Sequence, residues 1–187
     1  MNSALKTDIR EFLYPDDLAA VKRIWREVGW VDAEEEKLLD QFFSVGHAMV
    51  ATIDDEPECS VHTAQGTLRL QHKDLPLCVV TAVTTSRIAR GHAFAKRLTA
   101  LQLQHAAQQG AVVSALGMFD QGFYDQLGFG SGAYDNRFSF DPGDLKVDHR
   151  VATPRRLTVD DYAQIHAAMC QRAKVHGSVT ILHKEMM

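Results

Sequence analysis

The sequence predicts an α+β or mixed-sheet fold, and three observations support this class. Short strand-like runs are grouped between two helical stretches near the amino end and one long helix in the middle of the chain. An apolar run, a polar turn, a helix and a second apolar run then follow one another over residues 77–116. Only this later part alternates strand and helix, whereas a parallel α/β chain alternates throughout.

Composition limits the class of protein further. The chain has 187 residues, of which 45% are hydrophobic and 24% charged, as in an ordinary globular protein of one domain or one domain with an appendage. The formal net charge of −4 argues against nucleic-acid binding, which needs a concentrated basic face. A mildly acidic protein suits a cationic acceptor such as an amine, although net charge alone is weak support.

Cellular location is predicted from three features of the sequence. The amino end lacks the apolar region of a signal peptide, and no run approaches the ~20 apolar residues of a membrane span. Cys59, Cys78 and Cys170 are odd in number and widely spaced, with neither disulfide nor metal-ligand spacing. We therefore expect a cytoplasmic protein without a metal site.

The first half of the chain contains the first strand, two helices and a group of strands. Residues 9–14 alternate as a strand, and an apolar face then predicts a helix that Gly29 ends. A second helix is predicted over residues 32–43. Further strands are predicted over residues 48–53, 59–64 and 67–71, with Gln65 and Gly66 separating the last two. The first helix has its apolar face at Leu18, Val21, Ile24, Trp25 and Val28.

The central stretch begins with a strand at residues 77–83, followed by a basic turn at 84–91 and a helix over 92–109. The helical periodicity predicts that Phe94, Leu98 and Leu101 face the core. The opposite, solvent-facing side is predicted to carry Lys96, Arg97, Gln102 and Gln104.

The end of the chain has a different character from the centre. A strand is predicted at residues 137–140, a linker at 153–156, and a helix after the capping residue Thr158. We therefore divide the chain into a domain at residues 1–145 and a linker with helical extension at 146–187.

The basic turn is the candidate phosphate site. Its small residues, its arginines Arg87 and Arg90, and the helix that follows suit an anion, because a helix amino terminus offers free N–H groups and positive dipole charge. A P-loop is excluded since no Gly-x4-Gly-Lys-Ser/Thr is present, and a dinucleotide-binding turn would need three glycines. Taken alone, such a turn is more often an ordinary strand-to-helix connection with two exposed arginines.

The segment at residues 123–129, Phe-Tyr-Asp-Gln-Leu-Gly-Phe, adds a tyrosine just before a helix-ending glycine. Tyr124 and Phe123 could be core aromatics, the commoner fate of such residues. In combination, however, the strand, basic turn, helix and tyrosine segment resemble the GCN5-related N-acetyltransferase (GNAT) superfamily. The chain is more narrowly similar to the amino-terminal domain of the enhanced intracellular survival (Eis) family, over residues 9–140, and residues 150–187 resemble the start of that family's second domain.

The resemblance implies a GNAT fold, with a mostly antiparallel, splayed sheet flanked by helices, and acetyl-CoA as co-substrate. It implies that Tyr124 protonates the departing thiolate, for which a phenol is a reasonable acid. One loop position departs from the superfamily, because Ile88 stands where Gln or Arg is usual. The implied acetyl-CoA contacts are Thr81, Ala82 and Val83 for pantetheine, Ala89, Arg90, Gly91, His92, Ala93 and Phe94 for pyrophosphate, and Phe119 and Asp120 for the thioester end.

The implied activity is acetyl transfer from acetyl-CoA to a primary amine by direct attack. The partner is a small-molecule or peptide amine, with neither nucleic acid nor membrane, and homo-oligomerisation is left open. The general base is not identified, because the strand at 77–83 has no carboxylate. Asp120, His62, a water chain or the Met187 carboxylate are the candidates, and a non-catalytic acyl-CoA-binding module is the alternative function.

Overall fold

The computed structural model describes residues 5–117, 121–132, 139–144, 146 and 153–186. It has a mixed α+β architecture, in agreement with the predicted fold class. The described strands are β1 (Thr7–Glu11), β2 (His47–Ile53), β3 (Glu56–Leu70), β4 (Lys73–Thr85), β5 (Val113–Leu116) and β6 (Val179–Ile181). The described α-helices are α1 (Leu18–Glu27), α2 (Leu38–Phe43), α3 (Phe94–Gln108), α4 (Gln121–Asp125) and α5 (Tyr162–Gln171).

The strands form one six-stranded sheet in the order β1-β2-β3-β4-β5, with β6 paired to β3. Every pairing is antiparallel except that of β4 with β5, which is parallel. This matches the predicted mostly antiparallel sheet. The parallel pair is a consequence of the α3 crossover, because only a long connection can return the chain in the same direction.

Helices cover both faces of the sheet. On one face, Phe94 and Leu98 of α3 pack against buried residues of β2, β3 and β4, such as Val61 and Val80. On the other face, α1 and α2 pack over Val50 of β2 and Ala82 of β4. The predicted apolar face of α1 is confirmed at its buried residues Leu18, Val21, Ile24 and Trp25, whereas Val28 lies just beyond the helix and is half-buried.

The second predicted helix is shorter than expected. A 3-10 turn at Glu35–Lys37 leads into α2, which covers only the last six residues of the predicted stretch. Asp32 caps this turn, because its carboxylate accepts the backbone N–H groups of residues 34 and 35 at 2.8 and 2.9 Å. The amino-terminal part of the stretch is therefore a capped loop.

The prediction that Gln65 and Gly66 separate two strands is wrong, because β3 runs through them without a break. Gly66 pairs with Leu77 of β4 and with Ile181 of β6. A Cβ at Gly66 would lie 2.8 Å from the carbonyl oxygen of Thr180 and 2.9 Å from Cγ2 of Val79. The glycine therefore permits close packing within the sheet rather than a turn.

The prediction that Gln102 lies on the solvent face of α3 is also wrong. Gln102 is fully buried, whereas Leu101, predicted to be core, is 37% exposed. The Gln102 amide nitrogen donates to the carbonyl oxygens of His47 and Val61, at 3.1 and 2.9 Å. Its oxygen accepts Thr63 Oγ1 at 3.1 Å and lies 2.7 Å from His47 Nδ1. Satisfied hydrogen bonds make the burial of this amide tolerable.

The carboxyl-terminal segment returns to the sheet. β6 pairs with Gly66–Leu68 of β3 and occupies the edge of β3 that β2 leaves at His47. Beyond β6, a 3-10 turn at Lys184–Met186 brings Met186 against the apolar cluster of Ala64, Leu77 and Val79. Among the described residues, no helix has both the length and the apolar character required to cross a bilayer. The predicted division at residue 145 stays a prediction.

Candidate active site

A cleft of about 620 Å³ opens where β4 and β5 separate. β5 pairs with residues 77–80 of β4 and with no later residue of that strand. Residues 80–85 of β4 line one side of the cleft, and Leu116, Gly117, Phe123 and Tyr124 line the other. The strand that begins the central stretch of the sequence therefore forms one wall of this cleft, beside Ala95 of α3.

A bulge in β4 creates this opening. His62 of β3 pairs with Ala82 and Thr63 pairs with Val80, so Thr81 is an extra residue without a partner in β3. Bulges bend a strand and increase its twist, which turns the end of β4 away from β5. The result is a stretch of β4, from Thr81 onward, whose β5-side edge is unpaired among the described residues. Such an edge can bind an extended ligand as one further strand would bind.

The turn after β4 brings a helix amino terminus to one end of the cleft. Residues 87–89 form a 3-10 turn, Arg90 is extended and lines the cleft, and Gly91 has φ of +87°. Ala93 precedes α3 with φ of +57°, and no side-chain hydrogen bond caps the helix. The first N–H groups of α3 therefore lack a side-chain acceptor, as required of an anion site.

The predicted pyrophosphate residues take different places in this turn. The side chains of Ala89 and Phe94 belong to the buried core against α3. His92 is exposed, and its ring stacks on Phe94 with centroids 5.3 Å apart. Of the residues predicted to contact pyrophosphate, Arg90 is the one that lines the cleft. The others would therefore act on a ligand mainly through their backbone N–H groups or through the dipole of α3. Arg87 points elsewhere, since its side chain donates to the carbonyl oxygen of Glu27 at 3.4 Å.

Tyr124 lies across the cleft from the bulged strand. It is half-buried on the short helix α4, and its ring packs edge-to-face on Phe123 and Phe129 at 5.0 and 5.9 Å. The structure thus brings Tyr124 to the same cleft as Thr81, Ala82 and Val83, as the resemblance implied. Phe119 and Asp120 lie outside the described residues.

Several cleft residues were missed by the sequence prediction. Val28 and Trp30 follow the end of α1, and Thr84, Thr85 and Ala95 flank the turn. No periodicity points to Trp30, which follows the helix-ending Gly29 in an irregular segment. Thr84 and Thr85 could have been found by extending the strand beyond Val83, since both are β-branched residues of high strand propensity.

The sequence model described as "Acetyltransferase (GNAT) domain" matches residues 9–132, which is more than half of the chain. The chain belongs to this family. The match includes the bulged strand, the basic turn, α3 and the tyrosine segment. Among curated proteins, none matches the sequence.

Solved structures of GNAT proteins share the fold. An aminoglycoside N-acetyltransferase, AAC(6')-Iy, in complex with CoA is 14% identical over 74% of this chain and 97% of its own, with a TM-score of 0.60. A GNAT acetyltransferase from Brucella melitensis in complex with acetyl-CoA is 19% identical over 67% of this chain and 84% of its own, with a TM-score of 0.56.

One further structural relative is much longer than this GNAT chain. A probable N-acyltransferase from Enterococcus faecalis V583 is 15% identical, with a TM-score of 0.59. The match covers 65% of this chain and 31% of that protein, so the chain spans about a third of its length. At these identities the similarity establishes the fold alone.

His62 of the GNAT domain supports the bulge. It is 1% exposed, and its Nε2 lies 2.7 Å from the carbonyl oxygen of Val45, which can only accept, so Nε2 carries the proton. Nδ1 is therefore the acceptor for the hydroxyl of Thr81 at 2.8 Å. The His62 pKa is lowered to about 4, mainly by burial and to a smaller extent by nearby His183 and His47, although the hydrogen bond to the Val45 carbonyl opposes the shift. A neutral imidazole with both nitrogens occupied is a support rather than a general base.

We expect this buried imidazole to make folding stability depend on pH. An unfolded histidine binds a proton below its ordinary pKa of about 6.5, whereas folded His62 does so only near 4. Stability is therefore complete above about pH 6.5 and falls as the pH drops toward 4, by at most about 1.4 kcal/mol per pH unit. Urea unfolding at several pH values measures this slope.

The matched variants for this prediction are His62→Gln and His72→Gln, the latter at an exposed hairpin position. His62→Gln should flatten the slope between about pH 6.5 and 4, while His72→Gln should retain it. If His62→Gln does not fold, titration of the His62 ring by NMR in the wild-type protein replaces it. A His62 pKa near the ordinary value would contradict the prediction.

A second cleft, of about 520 Å³, lies at the carboxyl end of α3 and contains none of the predicted site residues. His47 and His105 stack there with centroids 3.8 Å apart, and Gln65, Asp74 and His183 also line it. The β4 edge that is unpaired among the described residues and the amino terminus of α3 both lie at the other cleft. The cleft between β4 and β5 is therefore the candidate active site.

Proposed function

We propose that the protein is an N-acetyltransferase that transfers an acetyl group from acetyl-CoA to a primary amine by direct attack. We further propose that it is related to the amino-terminal domain of the Eis family. The observation that carries the proposal is the bulge at Thr81, beyond which the edge of β4 is unpaired among the described residues, in a cleft that Tyr124 also lines. An acyl donor and a proton donor can meet at that point.

The cleft suits the chemical parts of acetyl-CoA. The unpaired edge at Thr81, Ala82 and Val83 offers backbone groups to the amides of the pantetheine arm. The uncapped amino terminus of α3, with Arg90 beside it, suits the pyrophosphate. Solved GNAT structures in complex with CoA and acetyl-CoA share this fold, which is consistent with the same co-substrate here.

The proposed reaction needs no covalent enzyme intermediate. The neutral amine nitrogen forms a bond to the thioester carbon, the carbon–sulfur bond breaks, and the Tyr124 hydroxyl donates its proton to the departing sulfur and is then reprotonated from water. Backbone N–H groups at the bulge stabilise the developing oxyanion, and holding both reactants in one cleft lowers the entropic barrier. The described lining of the cleft contains no carboxylate, so the proton of the amine is proposed to leave through water.

Partners and location belong to the same proposal. The acceptor is a small-molecule or peptide amine rather than a nucleic acid or a membrane, and a cytoplasmic location suits three cysteines that are free. Homo-oligomerisation is open. The second candidate function is a non-catalytic acyl-CoA-binding module, which is favoured by the lack of a carboxylate along the described part of the cleft.

Two measurements test the proposed function. Acetyl-CoA should raise the thermal midpoint, since ligand at ~100 times its Kd stabilises the folded state by about 2.7 kcal/mol. Free thiol should then be released in the presence of at least one member of a panel of polyamines, aminoglycosides and lysine peptides. Binding without thiol release from any amine would replace the enzyme with the binding module, and the lack of binding would reject both.

A further inference from the structure

The turn between β4 and α3 lacks a cap from its own sequence. It contains one 3-10 turn, Arg87–Ala89, which Ser86 precedes. A serine in this position commonly accepts a backbone N–H group of the helix that follows. Ser86 makes no such side-chain hydrogen bond, and its buried hydroxyl has no partner among the described residues. Because a single helical turn is not stable by itself, its position depends on contacts with other elements.

The missing cap comes from Glu27, the last residue of α1. Its Oε1 accepts the backbone N–H group of Arg87 at 2.6 Å, across sixty positions of sequence. Such a hydrogen bond to a carboxylate is stronger than one between neutral groups. A carboxylate is otherwise unfavourable at the carboxyl end of a helix, where the dipole favours cations. The contact with the turn therefore offsets an unfavourable placement on α1.

Arg23 and Glu58 hold Glu27 and the turn in place. Arg23 lies one turn before Glu27 on α1, 3.9 Å from its carboxylate, and donates to both carboxylate oxygens of Glu58 at 2.9 and 3.3 Å. Glu58 is 5% exposed, and its backbone carbonyl oxygen accepts the N–H group of Ser86 at 2.8 Å. The end of α1, the start of β3 and the turn are therefore joined in one polar network.

This network connects two parts of the candidate active site. Val28, which follows Glu27, lines the cleft, and so does Arg90, which is three residues after Arg87. The amino terminus of α3 begins a few residues beyond Arg90. A displacement of the 3-10 turn would therefore move both Arg90 and the N–H groups of α3 relative to the cleft.

We propose that Glu27 is a positioning residue for acetyl-CoA binding. By accepting the Arg87 N–H group, its carboxylate fixes the turn in the orientation that presents Arg90 and the amino terminus of α3 to the pyrophosphate. This inference rests on the proposed function. Glu27 is absent from the described lining of the cleft, so it acts through the backbone of the turn.

Positioning and simple charge predict opposite results when Glu27 is removed. A carboxylate repels a pyrophosphate, so loss of its charge alone would tighten the binding of acetyl-CoA. Loss of the cap frees the turn, and binding must then include the cost of ordering it, so the affinity falls. The sign of the change in Kd therefore identifies the role of Glu27.

Calorimetry with acetyl-CoA compares the wild-type protein with three variants. Glu27→Ala should raise the Kd about tenfold, equivalent to about 1.4 kcal/mol, while kcat at saturating substrates stays within about twofold. Glu27→Gln retains an acceptor oxygen and should keep the Kd within about twofold of wild type. The matched control Glu36→Ala removes a carboxylate of similar exposure, 23% against 26%, that pairs with Arg26 of α1 and should bind acetyl-CoA normally.

An unchanged or lower Kd in Glu27→Ala would overturn the proposal, as would an equal loss of affinity in Glu27→Gln or Glu36→Ala. If Glu27→Ala does not fold, Glu27→Asp replaces it. The aspartate keeps the charge but is too short to reach the Arg87 N–H group, so the Kd should again rise, and an unchanged Kd rejects the proposal. A wild-type protein that binds no acetyl-CoA rejects the proposed function and this inference together, whereas normal binding in the Glu27 variants rejects the inference alone.

Discussion

Replacing Tyr124 by phenylalanine should reduce kcat by about 10²-fold or more while leaving the Kd for acetyl-CoA within about twofold of the wild-type value. The reason is that loss of a positioned general acid costs about 10²–10⁴-fold in rate, and the change removes one hydroxyl from a half-buried ring. The ring contacts with Phe123 and Phe129 are kept in the variant. Thiol release at saturating amine measures kcat, and calorimetry measures the Kd.

The matched control for this change is Tyr162→Phe, which removes a hydroxyl from α5, away from the cleft lining. Its kcat should equal that of the wild-type protein. Unchanged turnover in Tyr124→Phe would remove Tyr124 from the mechanism. A parallel loss in Tyr162→Phe would show that the measured effect arises from folding instead of chemistry.

The elements of this fold that were predicted correctly are those with a local signal. The apolar face of α1 follows from the spacing of four buried residues, and the end of the helix follows from Gly29, whose φ is +77°. The strand–turn–helix unit around Arg90 was likewise visible, because a long apolar strand and an amphipathic helix flank it. Local propensity and periodicity were sufficient for these elements.

The errors occurred where contacts distant in sequence decide the structure. Gln102 is buried because β2 and β3 present carbonyl oxygens to it, and nothing near position 102 indicates those partners. Gly66 remains in a strand because β6, more than a hundred residues later, packs closely against it. A polar residue normally predicts a surface position, and a glycine normally predicts a turn. At Gln102 and Gly66, tertiary packing overrides these local signals.

The residues of the candidate site also differ in whether a local signal in the sequence could predict them. Residues 81–83 and Tyr124 could be placed in one cleft because the family motif carries them in sequence order. The bulge at Thr81 depends on register with β3, which a single strand sequence does not encode.

Replacing Gly91 by glutamate should weaken acetyl-CoA binding by about 100-fold. A carboxylate about 5 Å from a pyrophosphate charge costs about 3 kcal/mol at an effective dielectric constant near 20. The added side chain meets no atom within 4 Å, so the charge rather than a clash is expected to dominate. The positive φ of +87° adds about 1 kcal/mol of backbone strain for any residue other than glycine. Calorimetry with acetyl-CoA measures the change in Kd.

Two controls separate charge from strain. Gly91→Ala carries the strain alone and should lower the thermal midpoint slightly, with the Kd for acetyl-CoA within a few fold of wild type. Gly110→Glu carries both strain and charge, at φ of +93° with open space, but at the opposite end of α3, and it should bind acetyl-CoA normally. A normal Kd in Gly91→Glu would mean that the pyrophosphate binds elsewhere. An anion bound at the amino terminus of α3 would be repelled by a carboxylate at position 91, and its affinity would fall.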